Sequence, residues 1–464
     1  MACEILDHRK RLFVDRADIE LQENVQRVFH QAEKHGTHPV LKQEAPWERH
    51  GGMTAAVIFD AEERLFKAWY MAGHYAEGHE HVQCLAISTD GIHWDRSPLG
   101  LHEALGNRDN NIVIPSTHHE GQDHWETMLK DPFDPDTARR YKAIGWSSYD
   151  WHGPLSGIYS ATSPDGVNWS HSPEPIFRYH PRPDTDDLGP VGDAQSLMID
   201  YERKRYVAFL RGTPDRLMSV SEDFVDWSEP RSFLAPLHEE EALYNNTGFN
   251  YGAHYLGVLT HFDKCALAQT QDLKLLCSRD AESWQRVPGG PLISLGEVGE
   301  WDRFQLMLSG APPIAVDDKL YIYYRGTARR HAKIQREYDP RIAVDQDPGT
   351  MGIGLATLRL DGFASLGASF DGGRVTTRPL ALVGDALWVN AKADYGRLAV
   401  ELLDAENKPI PGFRVEECVA ICEDSVAVRV QWRDDKALSG LSGQPVRLRF
   451  ELNNARLYAY WCAS

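Results

Sequence analysis

The chain has 464 residues, of which 42% are hydrophobic and 25% are charged, and its formal net charge is −19. This balance is typical of a soluble globular protein with one large or two ordinary domains. The negative charge argues against a protein that follows a nucleic-acid backbone, because such proteins present a basic face. No run approaches about 18 consecutive apolar residues, so no membrane partner is expected.

The first residues, "MACEILDHRKRLFVD", lack the apolar core and the small-residue cleavage site of a secretory signal. The sequence therefore predicts a cytoplasmic protein. Seven cysteines are scattered along the chain without a CxxC pair. This pattern favours free thiols over a disulfide framework or a structural zinc site.

A short phrase recurs in which a Ser stands six residues before a Trp, with an Asp close to the Ser. The copies are "STDGIHW" at 88–94, "SPDGVNW" at 163–169, "SEDFVDW" at 221–227 and "SRDAESW" at 278–284, with a weaker copy, "TLRLDGF", at 357–363. Three short β-rich runs precede each copy, and turn-forming sequences join them. Four antiparallel strands repeated five times predict a five-bladed β-propeller.

The phrase itself predicts the hairpin between the third and fourth strands of each blade. Its Asp and Gly are turn-forming residues, and its Trp is expected to pack between neighbouring blades. We therefore assign the phrase a structural role and no catalytic one.

The predicted fold class is all-β, with a five-bladed β-propeller followed by a C-terminal β-sandwich. The propeller is predicted to span residues 1–366, with residues 1–50 as a segment that closes the ring or covers one face. Residues 367–464 contain alternating runs without the phrase, which predict the sandwich. The sandwich is expected either to pack against the propeller or to mediate a homo-oligomer.

Candidate site residues come from the starts of the innermost strands. These strands line the central channel of a propeller, so their first polar residues converge on one mouth. The positions are Trp47, Glu48 and His50 in blade 1, His124, Trp125 and Glu126 in blade 2, Asp193 and Gln195 in blade 3, Glu241 and Tyr244 in blade 4, and Asp302 in blade 5. Further candidate binding residues are Asn110 and Asn111 in "RDNNIV", and Arg211 and Arg325, each in an "RG" pair.

Carboxylates lie at or near every one of these strand starts. Like charges in one cleft repel, so at least one carboxyl is expected to have a raised pKa. Glycosidases use this arrangement, because one carboxylic acid protonates the leaving oxygen while another carboxylate acts as nucleophile or activates water. The Trp residues would offer a platform for a sugar ring. Any single acid also fits an ordinary loop position, and the convergence of the set favours a site.

A propeller followed by a sandwich resembles the glycoside hydrolases of family 32, whose propeller is shared with families 43, 68, 117 and 130. The stretches "LFVDRADIEL", "STDGIHWDRSPLGL" and "GDAQSLMIDYERKRYVAFLRG" resemble a set of bacterial family-32-like glycosyl hydrolases of unassigned activity. The resemblance implies a glycosidase whose nucleophile, transition-state stabiliser and acid lie on blades 1, 2 and 3.

Carried over by position, the resemblance implies roles for Glu126 on blade 2 and Asp193 on blade 3, with Glu48 or His50 on blade 1. The "NDPNG" and "EC" motifs of the family are absent, which argues against an invertase or fructanase. We predict a different glycosidase that uses Asp193, Glu241 and Glu126 as catalytic residues, with Glu241 as acid or base and Asp193 as its partner. The expected substrate is a terminal sugar, such as a furanosyl unit, of an oligosaccharide or glycoside.

Two alternatives stay open. The missing Asp on blade 1 is compatible with a carbohydrate-binding propeller without turnover. A phosphate-dependent phosphorylase of the family-130 kind would need a basic pocket, for which the candidates are Arg303, Arg325, Arg329, Arg330 and His331. No cofactor or catalytic metal is expected, because no HExxH motif occurs. A structural calcium in the channel would be compatible with this fold.

Overall fold

The computed structural model describes residues 4–48, 55–74, 80–115, 123–147, 155–179, 191–264, 269–329 and 351–463. The fold of these residues is all-β. Within them, helical structure is limited to short 3-10 segments at Pro46–Glu48, Thr137–Arg139, Val415–Glu417, Arg433–Asp435 and Leu438–Leu441. In this described part, no helix has the length and apolar character required to span a bilayer.

Three antiparallel sheets follow one another along the chain. Sheet 1 contains Ala55–Asp60, Leu65–His74, Glu80–Ser88 and Ile112–Ile114. Sheet 2 contains Asp123–Lys130, Tyr141–Ser147, Gly157–Ser163 and Ser170–His171, with Phe177–Arg178 also paired to its third strand. Sheet 3 contains Gly192–Asp200, Arg205–Arg211, Arg216–Ser221 and Arg231–Leu234. Four-residue turns join the first and second strands of sheets 1 and 3, as their turn-forming sequences predict, and residues 131–140 with a short 3-10 segment join those of sheet 2.

Two further sets of strands continue this order. Sheet 4 contains Glu241–Tyr251, His254–Asp263, Gln271–Ser278 and Gln285–Arg286. Sheet 5 contains Gln305–Leu308, Ile314–Val316, Lys319–Thr327 and Met351–Arg359, and the last of these also pairs with Glu33–Lys34 and Leu41–Lys42. A parallel pairing of Gln271 with Gln305 joins sheets 4 and 5 into one hydrogen-bonded set.

The rest of the chain forms two six-stranded sheets. Sheet 6 contains Glu4–Leu6, Ile19–Glu23, Gly373–Thr377, Leu380–Leu382, Arg397–Leu403 and Pro445–Asn453. Sheet 7 contains Arg11–Leu12, Gln26–Phe29, Ala364–Ala368, Ala386–Lys392, Asp424–Arg429 and Ala455–Ala463. Buried side chains of both sheets, among them Phe450 of sheet 6 and Leu387 of sheet 7, belong to one apolar core.

The N-terminal segment differs from the expectation that residues 1–50 close the ring. Its strands between Glu4 and Phe29 pair with strands of sheets 6 and 7, and Phe13 and Val14 are buried in their common core. Only the short strands at Glu33–Lys34 and Leu41–Lys42 pair with sheet 5. A strand-forming run such as "RLFVD" does not reveal its partner, because strand pairing is a long-range contact.

The recurring phrase forms the predicted turn in its first four copies. In the first copy the Ser88 hydroxyl accepts a hydrogen bond from the Gly91 amide at 2.8 Å, and the Asp90 carboxylate accepts hydrogen bonds from the Ile92 and His93 amides at 2.8 Å. Equivalent carboxylate contacts recur at Asp165, Asp223 and Asp280. The turn needs a left-handed residue at the fourth position of the phrase, and Gly91 has φ +75° there.

The aromatic residue of each copy packs against the preceding sheet. The pairs are Trp169 with Trp69, Trp227 with Phe177, Trp284 with Phe209 and Phe363 with Tyr251, with ring centroids between 5.3 and 6.4 Å apart. Trp94 of sheet 1 packs against Tyr323 of sheet 5 at 6.0 Å. The phrase therefore has the structural role that the sequence predicts.

The first strands of the five sheets also contact one another in order. Gln195 of sheet 3 donates to the His124 carbonyl of sheet 2 at 2.9 Å, and the Ser196 hydroxyl donates to the Asn246 carbonyl of sheet 4. After the first strand of sheet 5, the Gly310 amide donates to the Ala55 carbonyl of sheet 1 at 2.9 Å. These contacts bring the starts of the first strands close together, although the sequence separates them by up to about 250 residues.

Candidate functional site

Three of the first strands are interrupted at corresponding positions near their starts. The register shifts lie at His124–Thr127 in sheet 2, Gly192–Ser196 in sheet 3 and Leu243–Asn245 in sheet 4. A β-bulge redirects a side chain that a regular strand would aim elsewhere, and bulges are common beside active sites. Glu126, Asp193 and Tyr244 lie within these interruptions. The buried Ala194 has φ +67°, a strained conformation for a residue with a Cβ atom.

The carboxyl groups of Glu126 and Asp193 interact electrostatically at this place. Glu126 is 5% exposed, and burial raises its pKa to about 8, with the negative charge of Asp193 as the next cause. Arg325, Arg216 and Arg211 act in the opposite direction. Glu126 is therefore mainly protonated at neutral pH, when an ordinary glutamate is ionised.

Asp193 is held as an ion pair. The guanidinium of Arg211 donates to its Oδ1 at 2.5 Å and lies over the Tyr244 ring, 4.5 Å from the ring centroid. Burial alone would lower the pKa of Arg211, but the charge of Asp193 raises it above its ordinary value. The ion pair favours the charged form of both groups.

Arg216 connects the bulges of sheets 3 and 4. Its side chain has 0% exposure, and it donates to the Ala194 carbonyl at 3.0 Å, the Tyr244 carbonyl at 3.1 Å and Asn246 Oδ1 at 2.8 Å. Burial lowers the pKa of Arg216 to about 9, with the charge of Arg211 as the next cause. Arg216 is thus still charged at neutral pH and fixes the strained backbone of Ala194.

Amide side chains complete the surroundings of the two acids. Asn245 Nδ2 lies 3.4 Å from Glu126 Oε2. Gln195 is fully buried, and its Oε1 accepts no hydrogen bond. His124 packs edge-on against His81, with ring centroids 4.9 Å apart. The arrangement offers a neutral carboxylic acid that can donate a proton and an ionised carboxylate beside it, which is the separation of roles that acid–base catalysis requires.

The structure therefore brings together seven of the residues chosen from the sequence. They are His124, Glu126, Asp193, Gln195, Arg211, Tyr244 and Arg325, where the last enters through its charge interaction with Glu126. Sequence reasoning missed Arg216 and His81. The signal for Arg216 was its place in "RGTPDR", where it pairs directly across the hairpin from Arg211.

The blade-1 candidates lie in a separate buried network. The Glu48 carboxylate is fully buried and accepts from Tyr70 Oη at 2.5 Å and from Arg96 at 2.9 Å. Trp47 donates to Asn111 Oδ1 at 3.0 Å, and Asn111 donates to Tyr70 Oη at 2.8 Å. These contacts tie the segment before sheet 1 to that sheet, so Glu48, Trp47 and Asn111 are structural in position. His50 lies outside the described residues.

Three other candidates also have structural surroundings. Trp125 is 4% exposed and packs in the apolar core of sheet 2 rather than offering a sugar platform, because alternate strand residues face opposite sides. Asn110 donates to the His102 carbonyl at 2.9 Å within its loop. Asp302 is 1% exposed and lies between Tyr324 Oη at 2.9 Å and Lys34 at 2.7 Å.

Glu241 has partners other than the Glu126–Asp193 pair. Its carboxylate accepts from Arg286 at 3.1 and 3.2 Å and from the Leu237 amide, and His261 Nε2 lies 3.6 Å away. These contacts cap the start of the first strand of sheet 4. Glu241 therefore lies in an ion-paired cap, and its role as acid or base stays a prediction from the sequence.

We expect Glu241→Gln to lower stability and to leave kinetics nearly unchanged. The substitution leaves Arg286 without its partner carboxylate, and breaking a buried ion pair costs about 3–5 kcal/mol. Urea unfolding measures the loss of stability, and kcat/KM on any turned-over glycoside should stay within about twofold, because Glu241 is not part of the proton-transfer pair. A large loss of kcat at unchanged stability would instead return Glu241 to a catalytic role.

Among the described residues, no group of three or more His, Cys, Asp or Glu side chains is arranged to hold a metal ion. A calcium ion in the channel therefore stays a prediction from the sequence. The described cysteines are free thiols, with Cys84, Cys277 and Cys462 buried and Cys422 exposed.

No protein-family model matches the chain. The chain is 23% identical over 288 residues to the A type blood N-acetyl-α-D-galactosamine deacetylase of Flavonifractor plautii, a match that covers 60% of this chain and 31% of the deacetylase. The chain thus spans about a third of the length of the curated relative it matches.

The chain is also similar to several solved structures, of which two are described. An N-acetylgalactosamine deacetylase from F. plautii in complex with blood group B trisaccharide has a TM-score of 0.48 and 17% identity, covering 72% of this chain and 96% of the other. A structure from the GH130 family of mannoside phosphorylases, which contains glycoside hydrolases that target β-1,2 mannosidic linkages in Candida mannan, has a TM-score of 0.45 and 13% identity, covering 72% and 94%. These similar proteins are carbohydrate-active enzymes.

Proposed function

We propose that this chain is a carbohydrate-active enzyme that cleaves a glycosidic bond, with Glu126 as general acid and Asp193 as nucleophile or general base. The observation that carries the proposal is a buried carboxyl, Glu126, near a second carboxyl, Asp193, that is ion-paired with Arg211. Burial raises the pKa of Glu126 to about 8, while Arg211 holds Asp193 as an ion pair. Two titratable groups whose surroundings separate their protonation states are the usual sign of an acid–base assignment.

The proposed architecture is a five-bladed β-propeller with a C-terminal β-sandwich. Sheets 1 to 5 would be the blades, and the contact of Gly310 with Ala55 and the packing of Trp94 on Tyr323 support closure between the last and the first. The common core of sheets 6 and 7 supports the sandwich. In this arrangement the acid pair lies at one mouth of the channel, where a terminal sugar could enter.

The reaction would use the two acids in turn. Glu126 donates its proton to the glycosidic oxygen as the bond to the leaving group breaks, and Asp193 either attacks the anomeric carbon or removes a proton from the attacking water. Arg211 keeps Asp193 ionised and holds its side chain in one place. Arg216 acts indirectly as a positioning residue, because it fixes the backbone of the adjoining bulges.

Hydrolysis of a sugar N-acetyl group is a second candidate, favoured by the sequence match to the F. plautii deacetylase. The same pair could serve, since amide hydrolysis also needs a base to activate water and an acid to protonate the leaving nitrogen. The products distinguish the two reactions, because glycoside cleavage releases a reducing sugar and deacetylation releases acetate.

The test is a panel of aryl glycosides, oligosaccharides and N-acetylated sugars assayed between pH 5 and pH 10. Glu126 must carry a proton to act as the acid, so kcat/KM is expected to fall as pH rises through about 8. An ordinary glutamate with a pKa near 4.5 would place that fall well below neutrality. Turnover that stays constant or rises between pH 7 and pH 10 would contradict the assignment of Glu126. Sugar binding without any turnover would favour the carbohydrate-binding alternative.

A further inference from the structure

The positive charges of the arginines at the site outnumber the negative charges of its acids. Three guanidinium groups, from Arg211, Arg216 and Arg325, act on Glu126, in a chain whose net charge is −19. Asp193 is ion-paired with Arg211. Since Glu126 is mainly protonated at neutral pH, the local charge of these five groups is positive before any ligand binds.

Of these three guanidinium groups, Arg325 has the fewest partners for its positive charge. Its Nε is buried and donates no hydrogen bond. The two groups that favour its charged form are Tyr244 and Glu126, and both are mainly protonated at neutral pH, Tyr244 as an ordinary phenol and Glu126 because burial raises its pKa to about 8. A half-buried charge without an ionised partner is costly, and an anionic ligand would supply the missing partner.

Arg216 is also only partly compensated, because Asp193, the ionised carboxyl that acts on it, is already paired with Arg211. Its side chain is fully buried, it donates hydrogen bonds to neutral carbonyl and amide oxygens, and its Nη2 donates none. It donates to the carbonyl of Tyr244, and the side chain of Tyr244 interacts with Arg325. The buried guanidinium of Arg216 and the half-buried guanidinium of Arg325 both lie near Tyr244 and form a positive lining beside the acid pair.

We propose that Arg325 binds an oxyanion beside Glu126 and Asp193, either a carboxylate carried by the sugar substrate or a free oxyanion such as phosphate. The inference rests on the proposed function and names its substrate class. Guanidinium groups suit this role because their planar fork matches the oxygens of carboxylate and phosphate. Of the basic residues suggested by sequence, Arg325 belongs to this lining, Arg303 lies over the Phe304 ring, and Arg330 and His331 fall outside the described residues.

Calorimetry on the full chain tests the proposal. Galacturonate and glucuronate are compared with galactose and glucose, and sodium phosphate and sulfate are compared with sodium chloride at equal ionic strength. At least one oxyanion is expected to bind about tenfold or more tighter than its neutral or chloride control, as charged hydrogen bonds allow. Arg325→Gln should remove that difference, Arg325→Lys should keep part of it, and Arg303→Gln should leave it unchanged.

The two sources of the oxyanion give different results. A uronate preference that depends on Arg325 places the anion on the sugar, and phosphate binding with phosphate-dependent turnover makes it a free co-substrate. The proposal is overturned if no oxyanion binds better than its control, or if Arg325→Gln binds like the wild type. If Arg325→Gln does not fold, thermal stabilisation of the wild type by phosphate or uronate over chloride or neutral sugar decides the question. Oxyanion binding without bond cleavage would refute the proposed function alone.

Discussion

Glu126→Gln is expected to lower kcat/KM by about 10²- to 10⁴-fold on substrates with poor leaving groups, the usual contribution of a general acid. Gln fills the same volume and keeps a hydrogen-bonding group near Asn245, but it has no proton to give. Substrates with activated leaving groups, such as dinitrophenyl glycosides, leave without protonation and should lose much less. Comparing nitrophenyl, dinitrophenyl and unactivated alkyl glycosides measures this difference directly.

Stability provides an independent check on the same substitution. The pKa of Glu126 is raised in the folded state, so the folded chain holds this proton between about pH 4.5 and pH 8 while the unfolded chain releases it. The wild type therefore loses stability from this group as pH rises through that window. Glu126→Gln should be more stable than the wild type at pH 8 and nearly equal to it at pH 4. Exposed Glu222→Gln, the control, should change neither stability nor rate.

Equal losses for all leaving groups would contradict a general-acid role for Glu126. An unchanged stability difference from pH 4 to pH 8 would show that its pKa is ordinary. Either result would shift the proton donor to another group and leave Glu126 as part of the scaffold.

The repeated turns were readable from the sequence because their chemistry is local. In "STDGIHW" and its copies, Ser and Asp bond amides two or three residues away, so short-range spacing suffices to predict the turn. The all-β class followed from the same repeats. The pairing of residues 4–29 with strands after residue 363 could not be read, because more than 300 residues separate the partners.

The sequence brings Glu126, Asp193 and Gln195 into one candidate site because their strand starts converge, but it does not show which acids are buried in ion pairs. Glu126, Glu48 and Glu241 look alike in the sequence. In the structure, Glu48 accepts from Arg96 and Glu241 from Arg286, whereas Glu126 lies next to a second carboxyl. Such partners are 45 or more residues distant in sequence, so no local pattern distinguishes a neutralised structural acid from a reactive one. The bulges that aim Glu126 and Asp193 are likewise visible only once the strands are paired.

Asp193→Asn is expected to lower kcat/KM by about 10³-fold or more, and by similar factors for good and poor leaving groups. The carboxylate would act on the anomeric carbon or on water, and that step does not depend on leaving-group protonation. Two further groups respond to the lost charge. Arg211 loses its ion-pair partner at 2.5 Å, and the pKa of Glu126 loses the second cause of its rise.

The change in the pKa of Glu126 makes the Asp193→Asn prediction specific. Without the charge of Asp193, the pKa of Glu126 should fall, so the alkaline limit of the residual activity should move to lower pH than in the wild type. A pH–rate profile of Asp193→Asn on an unactivated alkyl glycoside, whose leaving group needs the proton of Glu126, measures this shift beside the exposed control Asp226→Asn. A profile with the wild-type alkaline limit would mean that burial alone sets the protonation of Glu126. A rate within about tenfold of the wild type would remove Asp193 from the reaction and leave Glu126 without the partner that glycoside cleavage requires.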